Sequence, residues 1–234
     1  MQGSLVYEGK AKKIFSTEDE SIFLMEFKDS LTAFNALKKG DFKGKGELNC
    51  QISTLIFEKL TQAGIKHHWV KTSDSNKMLV KKTKIIPVEV VIRNVIAGSL
   101  AKKLNLEEGS ALKAPILEFY YKDDALGDPF VNDEQILAFG WANQEQIMKI
   151  KEMAYKINQV LKTWFQQKKM LLVDFKTEFG LDKDQNLILA DEISPDCMRL
   201  WDSETGNKMD KDRFRRDLGD IDKAYLEVFN RLKG

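Results

Sequence analysis

The chain has 234 residues, of which 43 % are hydrophobic, and this suits one large domain or two small ones with a buried core. Lys and Arg total 37 against 36 Asp and Glu, so the net charge of +1 argues against a nucleic-acid-binding protein. The two cysteines lie far apart and the only two histidines are adjacent, which excludes an ordinary structural zinc site. No segment approaches the ~18 apolar residues of a membrane span, and the N-terminus lacks the apolar stretch of a signal peptide. We therefore expect a cytoplasmic protein that binds neither nucleic acid nor membranes.

The first third of the chain consists of short β-rich runs separated by turns, a pattern typical of an antiparallel sheet. Strands are predicted at residues 5–8, 13–16, 21–27, 30–34, 67–70 and 77–81. Apolar residues at helical spacing predict a helix over residues 46–63, and Gly64 fits the position that follows its C-terminus.

A nearly continuous apolar and β-branched run at residues 85–93 predicts a buried strand. We place a domain boundary just before it, which divides the chain into a β-rich nucleotide-binding lobe (1–84) and an α/β lobe with the metal and substrate sites (85–234). Further elements are predicted as helices at 100–105 and after Asn143, strands at 170–179 and 186–191, and one final helix with an apolar stripe from Phe214 to Leu232. This mixture predicts a two-lobed α+β fold with a cleft between the lobes.

The strand at residues 170–179 carries three charged residues on one face. Because side chains alternate along a strand, Asp174, Lys176 and Glu178 share a face. A solvated face is the ordinary explanation for such a pattern. The apolar run at 170–173 weakens that explanation, because a buried start followed by a charged face is typical of a strand that delivers groups to a cleft.

Two more carboxylates end the following strand. Alternation predicts that Asp191 and Glu192 point to opposite faces, so that one of them meets Glu178 across the hairpin. Two carboxylates held close together repel each other unless a cation lies between them, and Mg²⁺ prefers oxygen ligands. The pair therefore indicates a metal site for nucleotide phosphates, although any two acidic strand ends could produce the same pattern.

Two further segments could bind anions. The turn formed by Gly9, Lys10, Ala11 and Lys12 could close over phosphates, and an exposed turn is its alternative explanation. Neither a Walker P-loop nor a GxGxxG motif is present.

The second segment contains arginines near small residues. Arg93 ends the apolar strand and is followed by Gly98 and Ser99, which suits an anion site, although a serine cap beside a surface arginine is common. Arg199 follows a proline turn that comes soon after Asp191. Arg215 lies on the predicted final helix, where a solvated helix charge explains it equally well.

Together these segments resemble the SAICAR synthetase family over essentially the whole chain. Two long motifs carry the resemblance, at residues 86–99 (IPVEVVIRNVIAGS) and 172–180 (LVDFKTEFG). Shorter family-like segments occur at residues 9–12 (GKAK), 191–196 (DEISPD), 199–202 (RLWD) and 211–215 (KDRFR). The chain departs from many relatives at Asn35 and Ala36, where the family often has an acidic residue and a glycine.

The resemblance implies a kinase-like, ATP-grasp-related fold and a ligase of purine biosynthesis. ATP, L-aspartate and a carboxylated aminoimidazole ribotide (CAIR) would give ADP, phosphate and the succinocarboxamide (SAICAR) through an acyl phosphate. The resemblance also implies Mg²⁺ as cofactor and a homodimer.

The resemblance also implies a role for each candidate residue. Glu178 and Asp191 hold the metal and nucleotide; Gly9, Lys10, Ala11 and Lys12 contact the phosphates; Asp174 and Lys176 contact the ribotide or its reacting carboxylate; Arg93, Gly98, Ser99, Arg199 and Arg215 bind the ribotide; Lys122 and Asp128 are candidate neighbours of aspartate. The alternatives are a small-molecule kinase on the same fold, which would not need the anion-binding group of Arg93, Ser99 and Arg199, and a nucleotide-binding module without turnover.

Overall fold

The computed structural model describes residues 2–33 and 37–234. The first part of the chain folds into strands and one long helix in the order predicted, with one additional strand at Lys38–Asp41 that was not predicted. These elements are β1 (Leu5–Glu8), β2 (Lys12–Ser16), β3 (Ile22–Phe27), β4 (Ser30–Ala33), β5 (Lys38–Asp41), α1 (Lys45–Gln62), β6 (Trp69–Asp74) and β7 (Lys77–Lys81). Five strands form an antiparallel sheet in the order β1-β2-β3-β7-β6, and β4 pairs with β5 separately. Asn35 and Ala36, where the chain departs from many relatives, lie outside the described residues.

The rest of the chain forms a second antiparallel sheet with helices. Its elements are β8 (Lys84–Val95), α2 (Gly98–Leu104), β9 (Ala111–Tyr121), β10 (Phe130–Val131), α3 (Asp133–Ala138), α4 (Gln144–Gln167), β11 (Met170–Leu181), β12 (Leu187–Ala190), β13 (Met198–Asp202), α5 (Asp212–Arg215) and α6 (Ile221–Lys233). The sheet order is β10-β9-β8-β11-β12, and β13 pairs with the first half of β11. The two long central strands, β8 and β11, carry the two family-like motifs and lie side by side.

Helix α4 supports the second sheet through the apolar stripe predicted for it. Asn143 caps the helix, because its side chain accepts from the Gln146 N–H while the Gln146 side chain accepts from the Asn143 N–H. The stripe residues Ile147, Ile150, Ala154, Ile157, Leu161 and Trp164 are all buried, and the helix packs against β11. None of the helices in the described part of the chain is long and apolar enough to cross a membrane.

The final helix is not continuous, and the prediction of one helix with a stripe from Phe214 to Leu232 is wrong. Helix α5 ends at Arg215 and α6 begins at Ile221. Between them Asp217, Gly219 and Asp220 have φ angles of 55°, 68° and 47°, in the left-handed region that an α-helix cannot contain. The Arg213 guanidinium fixes this turn by donating to the carbonyl oxygens of Leu218 and Gly219. Arg215 therefore lies on a short separate helix.

The predicted division between residues 84 and 85 falls at the first residue of β8. The five-stranded sheet precedes this point and the six-stranded sheet follows it. However, α1 packs against α4 and α6 as well as against the first sheet, and one apolar core runs from Met25 to Leu232. The two-domain division consequently stays a prediction.

Candidate active site

A cleft of ≈ 560 Å³ lies between the β1–β2 hairpin and one face of the six-stranded sheet. Most of the candidate residues line it, although they come from distant parts of the chain. Those that line the cleft are Gly9, Lys10, Ala11, Lys12, Arg93, Asp174, Lys176, Glu178, Asp191, Arg199 and Arg215. Gly98 and Ser99 are not among the residues that line this cleft. Gly98 lies against Arg199, and Ser99 accepts from Arg93 and lines an adjoining pocket that shares Arg93 with the cleft. The fold thus brings the predicted nucleotide and anion residues to one place.

Strand β11 delivers its charged face to the cleft, as the alternation predicts. Asp174, Lys176 and Glu178 line the cleft, whereas Thr177 and Phe179 lie in the interior with 1 % exposure each. Asp174 and Glu178 are themselves only 4 % and 2 % exposed. Buried carboxylates require partners, so their neighbours define the site.

Glu178 lies among lysines at one end of the cleft. Its Oε1 accepts from Lys122 Nζ at 2.5 Å and from Lys176 Nζ at 3.3 Å. Lys176 Nζ also donates to Glu89 Oε1 at 2.6 Å. Burial acts to lower the pKa of Lys176, but the charges of Glu178 and Glu89 outweigh it and raise this pKa well above its usual value. Lys176 therefore remains a fixed positive charge at any physiological pH.

Asp191 and Glu192 both face the same lysine, so the prediction that they point to opposite faces is wrong. Lys12 Nζ forms an ion pair with Asp191 and another with Glu192, the latter at 3.0 Å. The reason is that β12 ends at Ala190 and Asp191 has a left-handed φ of 61°, so strand alternation does not apply to this pair. Burial acts to raise the pKa of Asp191, but Lys12 and Lys176 lower it far below its usual range.

The β1–β2 turn places its two lysines differently. Gly9 N–H donates to the Lys12 carbonyl at 2.9 Å and closes the turn. Lys12 reaches into the cleft to the carboxylates, whereas Lys10 lies at the rim, where it pairs with Asp124 at 2.7 Å and both side chains are exposed. The turn therefore supplies one deep and one superficial positive charge.

At the other end of the cleft, arginines from neighbouring strands surround Asp174. In the sheet Asp174 is the register partner of Arg93 on β8 and of Arg199 on β13. Arg93 Nη1 lies 3.2 Å and Arg199 Nη1 2.8 Å from Asp174 Oδ2. Asp212 extends the network, because it accepts from Arg199 Nε at 2.9 Å and from Arg215 Nη1 at 2.6 Å. We call Arg93, Arg199 and Arg215 the arginine cluster.

Ser99 and Gly98 complete this end. Arg93 Nη2 donates to Ser99 Oγ at 3.1 Å. Gly98 has a φ of 56°, and a Cβ at this position would lie 2.4 Å from Arg199 Nη2. The guanidinium of Arg199 therefore packs directly on the glycine backbone, which explains why a glycine is needed beside the cluster.

We predict that Gly98→Ala displaces Arg199 and raises the KM for the substrate bound by the arginine cluster by about tenfold or more, since small misplacements of binding groups are costly. Steady-state kinetics with each substrate varied in turn measures the effect. Gly140→Ala is the matched control, because Gly140 has a similar φ of 66° but open space where the Cβ would be. Equal KM values in the two variants would show that only backbone strain matters at Gly98.

Asp210, which the sequence did not indicate, is a fully buried carboxylate beneath this network. Its Oδ2 accepts from Leu200 N–H at 2.9 Å and its Oδ1 from Asp212 N–H at 2.7 Å. It therefore links β13, which carries Arg199, to the helix start that carries Asp212. Burial and the neighbouring charge of Asp212 raise the pKa of Asp210 to about 7.

This raised pKa predicts a pH dependence of stability. The folded chain keeps a proton on Asp210 up to about pH 7. The unfolded chain releases this proton at about pH 4. Asp210 therefore lowers the free energy of unfolding as pH rises between these values, by at most ~1.4 kcal/mol per pH unit. Denaturant unfolding of the wild type and Asp210→Asn from pH 4 to 8 should show this slope difference. Parallel curves would contradict the assignment.

Other cleft residues were also missed or left undefined by the sequence. Glu89 shares the face of β8 with Arg93, four residues later, so the alternation argument used for β11 could have found it. Lys122 follows the end of β9 and was only a candidate neighbour of aspartate. Asp128 lines the cleft too, and its side chain accepts from the Asp123 N–H.

The described residues contain no group of three or more His, Cys, Asp or Glu side chains arranged to hold a metal ion. Glu178 and Asp191 nevertheless fit Mg²⁺ as it binds in nucleotide sites, where one or two carboxylates suffice and phosphate oxygens and water complete the shell. Lys122 and Lys176 both donate hydrogen bonds to Glu178, and the charges of the same two lysines lower the pKa of Asp191. The two carboxylates therefore belong to the same end of the cleft.

Comparisons with known proteins agree with this geometry. The family model described as SAICAR synthetase matches residues 5–232. A phosphoribosylaminoimidazole-succinocarboxamide synthase of Campylobacter jejuni is 53 % identical over 97 % of each chain. The crystal structure of the synthase of that name from Ehrlichia chaffeensis matches with a TM-score of 0.97 and 45 % identity, over 98 % of each chain. A SAICAR synthetase described as in complex with ADP matches with a TM-score of 0.94 and 48 % identity, over 97 % of this chain and 96 % of that one. The chain belongs to the SAICAR synthetase family.

Proposed function

We propose that the cleft joins L-aspartate to the carboxylate of CAIR at the expense of ATP, giving SAICAR, ADP and phosphate. The observation that carries this proposal is the pairing of two charged sites in one cleft. A carboxylate–lysine site around Glu178 and Asp191 suits a nucleotide, and the arginine cluster suits a second, separate anion. An enzyme that phosphorylates one anionic substrate beside a nucleotide requires both.

The nucleotide end is formed by the β1–β2 turn and the end of β11. Lys10 and Lys12 would contact the phosphates as the turn closes over them, and Lys176 would stabilise the transferred phosphoryl group. Glu178 and Asp191 would hold Mg²⁺, which neutralises phosphate charge when bound there. These lysines are paired with the protein's own carboxylates, so phosphate oxygens and metal would replace ion pairs rather than enter an uncharged site. The related SAICAR synthetase in complex with ADP supports nucleotide binding.

The ribotide end is formed by the arginine cluster. Arg93, Ser99 and Arg199 present guanidinium and hydroxyl donors that suit a phosphate monoester, and Arg215 adds a further positive charge. Asp174 holds Arg93 and Arg199 in place from between them. This assignment leaves the imidazole carboxylate of CAIR directed along β11 toward Lys176 and the γ-phosphate.

The chemistry follows from the poor reactivity of a carboxylate toward an amine. One carboxylate oxygen of CAIR attacks the γ-phosphorus and ADP leaves, which forms an acyl phosphate. The neutral amine of aspartate then attacks the acyl carbon and the C–N bond forms. Inorganic phosphate leaves as hydrogen phosphate, with the oxygen that CAIR supplied and the proton that the amine loses. The protein contributes mainly position and positive charge.

The experiment that tests the function is an ADP-release assay in which ATP, Mg²⁺, aspartate and CAIR are omitted one at a time. ADP release that requires both CAIR and aspartate, with the succinocarboxamide identified by mass, is the expected result. Release that continues without aspartate would indicate a small-molecule kinase or an uncoupled ATPase instead.

We propose a homodimer, which rests on the family resemblance alone and which sedimentation at several protein concentrations would measure. We also propose a cytoplasmic location, which is the expectation drawn from the sequence. The near balance of basic and acidic residues supports the absence of a nucleic-acid partner.

A further inference from the structure

One cation of the cleft differs from all the others. Within residues 2–33 and 37–234, seven basic side chains besides Lys211 line the cleft, and each has a carboxylate partner within 4 Å. Lys211 also lines the cleft and is half-buried, but its Nζ has no ion pair or hydrogen bond with any described residue.

The carboxylates around Lys211 are engaged elsewhere. Asp196 accepts from Lys45 Nζ at 2.5 Å and from Tyr225 Oη at 2.6 Å, so both of its oxygens are used. Glu192 accepts from Lys12 and from Ser194 Oγ. Burial, together with the positive charges of Arg215 and Lys45, lowers the pKa of Lys211 despite the opposing effect of Asp196. The surroundings of the ammonium therefore favour an added anion.

The backbone fixes Lys211 between the two ends of the cleft. Its N–H donates to the carbonyl of Pro195 at 3.2 Å, and its carbonyl accepts from Arg215 N–H at 3.0 Å. Arg215 belongs to the arginine cluster, whereas the segment that contains Pro195 continues from the carboxylates that Lys12 binds. Lys211 thus lies between the residues proposed for the nucleotide and those proposed for the ribotide.

We infer that Lys211 binds a carboxylate of L-aspartate. This rests on the proposed function, which assigns the nucleotide and the ribotide phosphate to the two ends of the cleft. Lys122, a candidate neighbour of aspartate, is paired with Glu178 at the nucleotide end, and the side chain of Asp128 accepts from the Asp123 N–H. Aspartate brings two carboxylates, and at Lys211 one of them gains an ion pair without displacing a carboxylate of the protein. Every other basic side chain that lines the cleft within the described residues already pairs with a carboxylate of the protein. To bind aspartate, such a side chain would first have to break that ion pair.

The test is steady-state kinetics on Lys211→Met with each substrate varied in turn. We expect the KM for aspartate to rise about 10- to 100-fold, as is usual when a hydrogen bond to a charged group is lost, and the KM values for ATP and CAIR to change less than about threefold. Lys211→Arg should restore part of the affinity. Lys223→Met is the matched control, because Lys223 lies on α6 outside the cleft in an exposed pair with Asp220.

A second measurement separates carboxylate binding from an effect on the amine. Succinate has both carboxylates of aspartate and no amine, so its inhibition constant should rise in Lys211→Met by the same factor as the KM for aspartate. Lys211→Gln provides an uncharged polar variant if the methionine variant does not fold. An unchanged KM for aspartate, or a rise confined to CAIR, would overturn the inference. Failure of the wild type to consume aspartate would instead overturn the proposed function.

Discussion

Glu178→Gln is expected to reduce magnesium-dependent turnover by about 100-fold or more while the chain still folds. A neutral amide is a poor ligand for Mg²⁺, and loss of even a supporting group around a metal costs about 10- to 100-fold. The variant also leaves the ammonium groups of Lys122 and Lys176 without the carboxylate between them. Turnover should be measured over a range of Mg²⁺ concentrations, with circular dichroism to verify the fold.

Glu145→Gln is the control for this substitution. Glu145 lies in the first turn of α4, in an exposed pair with Lys149, and is not among the residues that line the cleft. It undergoes the same chemical change outside the site and should retain full activity. Wild-type turnover in Glu178→Gln would refute the metal assignment.

Arg199→Ala is expected to raise the KM for CAIR by about 30-fold or more, with smaller effects on ATP and aspartate. Loss of one partner from a desolvated charge pair costs about 2–5 kcal/mol of binding. Arg199 contacts Asp174 and Asp212 at once, so its removal also leaves Asp174 with Arg93 as its only arginine. We therefore expect the free energy of unfolding to fall by about 3 kcal/mol.

Arg216→Ala is the matched control for Arg199→Ala. Arg216 also contacts Asp212, at 3.4 Å, but it pairs mainly with Glu108 and does not line the cleft. It should leave all three KM values near those of the wild type. An effect of Arg199→Ala confined to aspartate would contradict the assignment of this arginine to the ribotide.

The sequence was most informative where local geometry decides the outcome. The period of two along β11 predicted that Asp174, Lys176 and Glu178 share a face, and all three line the cleft. The helical stripe that follows Asn143 was also found buried. The comparisons confirm the α+β fold class, the family and its ligase activity in purine biosynthesis.

The sequence was least informative where a backbone angle or a distant contact decides. A left-handed residue at Asp191 brings two consecutive carboxylates to Lys12, and local alternation cannot predict this. Left-handed residues at Asp217 and Asp220 likewise divide the final helix, although the apolar spacing continues through them. The pairing of Lys122 with Glu178 joins residues 56 positions apart, and only the folded sheet brings them together.

The central claim is that this cleft forms an acyl phosphate on CAIR and transfers its acyl group to the amine of aspartate, with release of phosphate. It is tested most directly with CAIR labelled with oxygen-18 in its carboxylate, incubated with the enzyme, ATP, Mg²⁺ and aspartate, with mass analysis of the phosphate released. Our account predicts one labelled oxygen in the phosphate for each succinocarboxamide formed. Unlabelled phosphate, formed together with the same product, would show that the carboxylate oxygen never bonds to phosphorus and would contradict the account.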